Sequence, residues 1–146
     1  MEKFEICIRA IIQEKGKILV CFHKKENIYF FPGGHLEFGE SIPHALKREI
    51  KEELGIKIKK FFLIGLVDNF YEESKKHHEI NLVFHVIPEK IVSKSKEDHI
   101  SFFFFDKEKF KKEKVLPIAL QKAILKWQKD KKFFWASQMK EKTIFH

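Results

Sequence analysis

The stretch FPGGHLEFGESIPHALKREIKEELGI, Phe31 to Ile56, decides how the chain is read. A proline and two glycines stop an apolar run, and from Ser41 the pattern turns helical as far as Leu54, with Gly55 as a C-terminal stop. On such a helix Glu52 and Glu53 fall three and four positions after Glu49, so three carboxylates share one face. Leu46, Ile50 and Leu54 make the adjacent apolar stripe that docks the helix, while Lys47 and Lys51 lie away from the acids. Arg48 is placed to pair with Glu52 at i+4. Like charges at that spacing destabilise an isolated helix by roughly a few tenths of a kcal/mol per pair. A hard divalent cation converts that repulsion into binding. Mg²⁺ takes carboxylate oxygens, keeps waters that phosphate oxygens can replace, and lowers the pKa of a coordinated water. The Pro32-Gly33-Gly34 loop lets main chain approach such a site. By itself REIKEEL is an ordinary exposed-helix sequence; the loop upstream changes its meaning.

With that loop included, the segment resembles the signature of the Nudix hydrolases: Gly, five residues, Glu, seven residues, then Arg-Glu-apolar-any-Glu-Glu-any-Gly-apolar. Gly34, Glu40, Arg48, Glu49, Ile50, Glu52, Glu53, Gly55 and Ile56 occupy every specified place. The resemblance extends over about Phe4 to Asp130. It implies an α/β fold, a mixed β-sheet in an α/β/α sandwich with the box as loop–helix–loop. It also implies hydrolysis of the pyrophosphate linkage of a nucleoside diphosphate derivative, using Mg²⁺ or Mn²⁺. By matching position, Glu49, Glu52 and Glu53 would be metal ligands, with Glu49 or Glu53 as general base and the Gly34 carbonyl completing the metal shell. Arg48 would orient the glutamates, and Glu40 would brace the loop or assist in the outer shell. Family members often recruit another acid from a later loop, for which Glu79 and Glu97 are the candidates, with Asp98 behind them. His77 and His78 are candidates for substrate phosphate, against the plainer reading of solvated loop histidines. Tyr29, Phe31, Phe70 and Tyr71 are candidates to stack a base, although core packing accounts for each of them as well.

The substrate stays open among an NTP or dNTP (oxidised ones included), a dinucleoside polyphosphate, a nucleotide sugar such as ADP-ribose, and a 5′-triphosphate or capped RNA end. Two other classes compete. A non-catalytic nucleotide-binding module on the same fold predicts lost box carboxylates, and all are present. A lysine-rich nucleic-acid binder fits the net charge of +8. Yet only Arg9 and Arg48 are arginine, and base-edge and phosphate-fork recognition favours arginine's planar guanidinium.

Outward from the box, 146 residues are enough for one domain with a proper core, and 44% hydrophobic with 34% charged residues is globular composition. Early charges at Glu2, Lys3, Glu5 and Arg9 speak against a signal peptide, and no apolar run is long enough to span a bilayer, so a cytoplasmic protein is expected. Cys7 and Cys21 read as buried thiols rather than a disulfide or metal site. FEICIRAIIQ and KILVCFH flank EKGK and predict a hairpin in which Cys21 sits opposite Ala10. NIYFF, IKIKKFFLIGLV, EINLVFHVI and HISFFFFD predict further strands, the middle pair joined by the polar loop DNFYEESKKHH. KEKFKKE and LPIALQKAILKWQKD predict helices. Residues 1–132 are therefore expected to form the domain, and residues 133–146, which have no clear period, a tail. Its KKFFW is a candidate to cover a homodimer interface or touch a membrane surface.

Overall fold

The computed structural model describes residues 2–90 and 99–146. In chain order the strands and helices are β1 (Lys3–Ile11), β2 (Gln13–Glu14), β3 (Lys17–His23), β4 (Ile28–Phe30), β5 (Gly33–His35), α1 (Ile42–Leu54), β6 (Ile58–Glu72) and β7 (Lys76–Pro88). They continue as β8 (Ile100–Phe105), α2 (Lys107–Lys112), β9 (Val115–Leu116), α3 (Ile118–Asp130), β10 (Phe134–Met139) and β11 (Lys142–Phe145). The mixed sheet between helices is present, as two sheets. One has six strands in the order β11-β10-β6-β7-β1-β5; the other holds β2-β3-β4-β9, with β8 along β3.

The expected hairpin turn forms at Lys15-Gly16, yet β1 does not follow β3. After Leu19 N–H donates to Ile12 O at 2.9 Å, the two part, and β1 pairs parallel with β7 and antiparallel with β5. Cys21 therefore lies opposite Phe30 and Phe102, not Ala10, whose partner is Phe84. The cause is hydrophobic on both sides. Ile8, Ala10, Ile11 and Ile12 are all buried, and a strand that is apolar on both faces needs cover on both. Ile8, Ala10 and Ile12 pack with Leu46, Ile50 and Leu54 of α1, and Ile11 packs with Leu120, Ile124 and Trp127 of α3.

α1 carries its start and stop in its own sequence. The Ser41 hydroxyl accepts from the His44 N–H at 3.3 Å, and Gly55, at φ 69°, donates its N–H to Lys51 O at 2.9 Å. The polar segment expected as a loop is instead mostly strand, because β6 and β7 run on as one long hairpin turning at residues 73–75. Ring pairs hold its end: Tyr71 stacks on His77 at 4.8 Å and Phe70 meets His78 edge-on at 5.7 Å. The final residues join the sheet as well. β10 pairs parallel with β6, and β11 closes the edge. Phe134 and Ala136 are buried while Trp135 between them is exposed, an alternation too short to be read from sequence. Among the described residues no helix is long and apolar enough to cross a membrane.

Candidate active site

β5, the following loop and α1 bring the box together. Arg48 is its clamp. Its Nε donates to Glu40 Oε2 at 2.7 Å and its Nη2 to Glu40 Oε1 at 2.8 Å, a two-pronged fork on one carboxylate. Nη1 reaches Glu49 Oε1 at 2.8 Å, and Nη2 also donates to His35 O at 3.2 Å. The i+4 partner expected from sequence, Glu52, stands farther off at 3.6 Å. A carboxylate eight residues away, carried on a loop, holds the guanidinium more tightly than the one a helical turn away. Glu40 also accepts from the Glu37 N–H and meets His44 Nδ1 at 2.7 Å. These contacts, Arg48 first, hold its carboxyl down at about 2, and Arg48 is in turn pushed to a still higher pKa.

The three glutamates of α1 are not equivalent. Glu52 is largely exposed, Glu49 is mostly covered beside Arg48, and Glu53 is buried. Glu53 Oε1 accepts the Gly33 N–H at 3.3 Å and faces the Cys21 thiol at 3.6 Å. Burial pushes its carboxyl up to about 7, against the opposing charge of Arg9 and the hydrogen bonds from Gly33 and Cys21; Glu49 adds to the push. Gly34 is required for this packing. A Cβ there would come within 2.4 Å of the Glu49 carboxyl, and one on Gly33 would run into Ile8 O. Carboxylates of Glu49 and Glu53 thus lie against a bare stretch of backbone, an all-oxygen donor set that suits a hard divalent cation, with Gly34 O and Glu52 available to join.

The later-loop candidates separate. Glu79 is buried on β7, and the Tyr71 hydroxyl donates to it at 3.0 Å. It stands opposite Glu5 of β1, beside Cys7 and His35. His78 points to the other face, as the neighbour of Glu79 on a strand must, and stacks on Phe4 at 4.8 Å with Asp68 at 3.8 Å. His77 shares the Glu79 face. Glu97 and Asp98 lie outside the described residues. Tyr29 and Phe31 pack against the core.

Sequence reasoning passed over Arg9 as a site residue. From the middle of β1 its Nε donates to Asn81 Oδ1 at 3.2 Å and its Nη1 to Phe31 O at 3.1 Å, and its charge acts on Glu53. The signal was present: an arginine inside an apolar strand of a chain whose other basic residues, Arg48 apart, are lysine.

This loop–helix–loop, with its forked arginine and its glutamates on a mixed sheet between helices, belongs to the α/β class. The NUDIX domain family model matches residues 3–128, and the chain belongs to the Nudix family. An 8-oxo-dGTP diphosphatase of Buchnera aphidicola subsp. Schizaphis graminum is 32% identical over 77 residues, covering 50% of this chain and 59% of that protein. An ADP-ribose pyrophosphatase of Methanocaldococcus jannaschii is 33% identical over 82 residues, covering 54% of this chain and 48% of that protein. The chain thus spans about half the length of these relatives. The crystal structure of the MutT protein from Bacillus halodurans superposes with a TM-score of 0.74 over 97% of this chain and 94% of that one, at 19% identity, a likeness of fold.

Proposed function

We propose that the chain hydrolyses the pyrophosphate linkage of a nucleoside diphosphate derivative with a bound divalent cation, Mg²⁺ or Mn²⁺. The observation that carries this reading is the convergence of the Glu49 and Glu53 carboxylates on the Gly33–Gly34 backbone, with Arg48 locked between Glu40 and Glu49. Glu49, Glu52, Glu53 and the Gly34 carbonyl would hold the cation, which when bound neutralises phosphate charge and acidifies water. Glu53 or Glu49 takes the proton of the attacking water on a carboxylate oxygen. Arg48 keeps the Glu49 carboxyl in one pose, and Glu40 keeps Arg48 in place, so the site is arranged before substrate arrives. Rigid carriage on α1 serves the same end.

The names of the two relatives support nucleotide chemistry and divide on substrate, a purine deoxynucleoside triphosphate in one and ADP-ribose in the other. A cytoplasmic setting, where such nucleotides are made and used, goes with either. The test is metal-dependent product release across nucleoside triphosphates, 8-oxo-dGTP, dinucleoside polyphosphates, ADP-ribose and triphosphorylated RNA, with Mg²⁺ and then Mn²⁺ and with Glu53→Gln alongside. Cleavage of one class that requires metal and is lost in the variant supports the reading. A folded protein that cleaves none of them, or a Glu53→Gln variant at near-normal rate, overturns it.

A further inference from the structure

We propose that Glu5, Cys7, His35 and Glu79 form a second metal site, separate from the box carboxylates, that takes a borderline-soft divalent cation of the zinc class. One donor atom from each lies within 4.8 Å of the other three, the one group of this kind among the described residues.

Strand register builds this group. Cys7 is the cross-strand partner of His35 on β5, Glu5 is the partner of Glu79 on β7, and Glu5 and Cys7 are two apart on β1 between them. Residues at those positions share a face of the sheet, so three adjacent strands bring four ligands of three types together without any loop. His35 Nε2 already meets Glu5 Oε2 at 2.8 Å. Donors around a tetrahedral ion with bonds of about 2.0–2.3 Å lie under ~4 Å apart, so closing on an ion asks for movements of about an ångström. The His35 side chain, 60% exposed, is free to make them.

The donor chemistry selects the ion. A thiol and an imidazole with two carboxylates suit zinc, whereas the all-oxygen box suits magnesium. The surroundings are those of a ligated site. The Tyr71 hydroxyl holds one oxygen of Glu79, the kind of outer contact that orients a metal ligand. Across the β6–β7 pair from Glu79, Asn69 is buried, and its Oδ1 has no hydrogen-bond partner among the described residues; a water on the ion would supply one. The site does not depend on the hydrolytic reading, since His35 touches the box only through its carbonyl, which accepts from Arg48.

The experiment is Co²⁺ titration of the full chain, read by the thiolate-to-cobalt charge-transfer band and the strong visible bands of a tetrahedral ion, with Zn²⁺ competition. The expected result is a thiolate band that Zn²⁺ abolishes, that survives in a Glu49→Gln/Glu53→Gln double variant, and that is lost in Cys7→Ser. Absence of the band from the wild-type protein overturns the site, as does a band that persists in Cys7→Ser, which would assign it to Cys21. If Cys7→Ser does not fold, His35→Ala decides: Co²⁺ affinity at least about tenfold weaker supports the site, and unchanged affinity overturns it.

Discussion

Glu53 and Glu40 lie at opposite ends of the carboxylate range within one box, and their environments predict opposite pH behaviour. Glu53 is raised to about 7 in the fold, so the folded state holds its proton more tightly than the unfolded chain. Its contribution is fully present below the unfolded value near 4.5 and is lost as pH rises through 7. Metal-free Glu53→Gln is accordingly expected to be more stable than wild type at pH 8, by up to ~3 kcal/mol, in urea melts, with the gap closing at pH 5. Saturating Mg²⁺ should narrow the gap at pH 8, because only the wild-type carboxylate is a full ligand. Glu40 works the other way: held down at about 2, it stabilises above 4.5 and loses that contribution as pH falls toward 2, so Glu40→Gln should flatten the acid limb of the stability curve. Arg48→Lys removes the fork on Glu40 while keeping the charge. Turnover is expected to fall about 10- to 100-fold, and the melting temperature at neutral pH to drop as the fork's hold on Glu40 is lost, measured by steady-state kinetics and calorimetry. A kcat unchanged in that variant would show that the fork is not what positions Glu49.

At the scale of elements, α1 shows why the box could be read from sequence. Its N-cap, apolar stripe and C-terminal glycine fall within fifteen consecutive residues, Ser41 to Gly55, and each acts on a neighbour one turn away. Ser41→Ala is expected to destabilise the protein by about 1 kcal/mol through loss of the hydrogen bond to the His44 N–H, read from the urea midpoint at unchanged slope. β1 is the contrary case. Its residues have the pattern of one arm of a hairpin, and the turn at Lys15-Gly16 is real. What sends it to the other sheet is the availability of β7, some seventy residues on, to pair from Lys3 to Ile11. The same partnership brings Glu5 to Glu79, and β5 brings Cys7 to His35, meetings that no local pattern encodes.

For the whole molecule, the last strands are structural members rather than a tail. Phe134 is buried, with its ring so close to the Gly65 backbone that a Cβ there would come to 2.3 Å from it. Phe134→Ala is expected to cost about 3–5 kcal/mol, and truncation after Lys132, which strips β10 from β6, to abolish cooperative thermal unfolding. A truncated protein that melted like the full chain would return residues 133–146 to the status of an appendage.

The helix that carries the glutamates, its caps, the spacing of the box and the glycines beside it are legible along the chain, because those depend on helical period and on contacts one turn apart. Which carboxylates are equivalent and which are not is set by long-range packing. Glu53 is buried and Glu52 exposed although they are adjacent, because docking on β1 and β5 covers one and leaves the other in water. The same packing decides that Arg48 holds Glu40, that Arg9 stands behind Glu53, and that two buried thiols have different neighbours. Each of those follows from strand register between distant segments, where burial and pairing across the whole chain outweigh local preference.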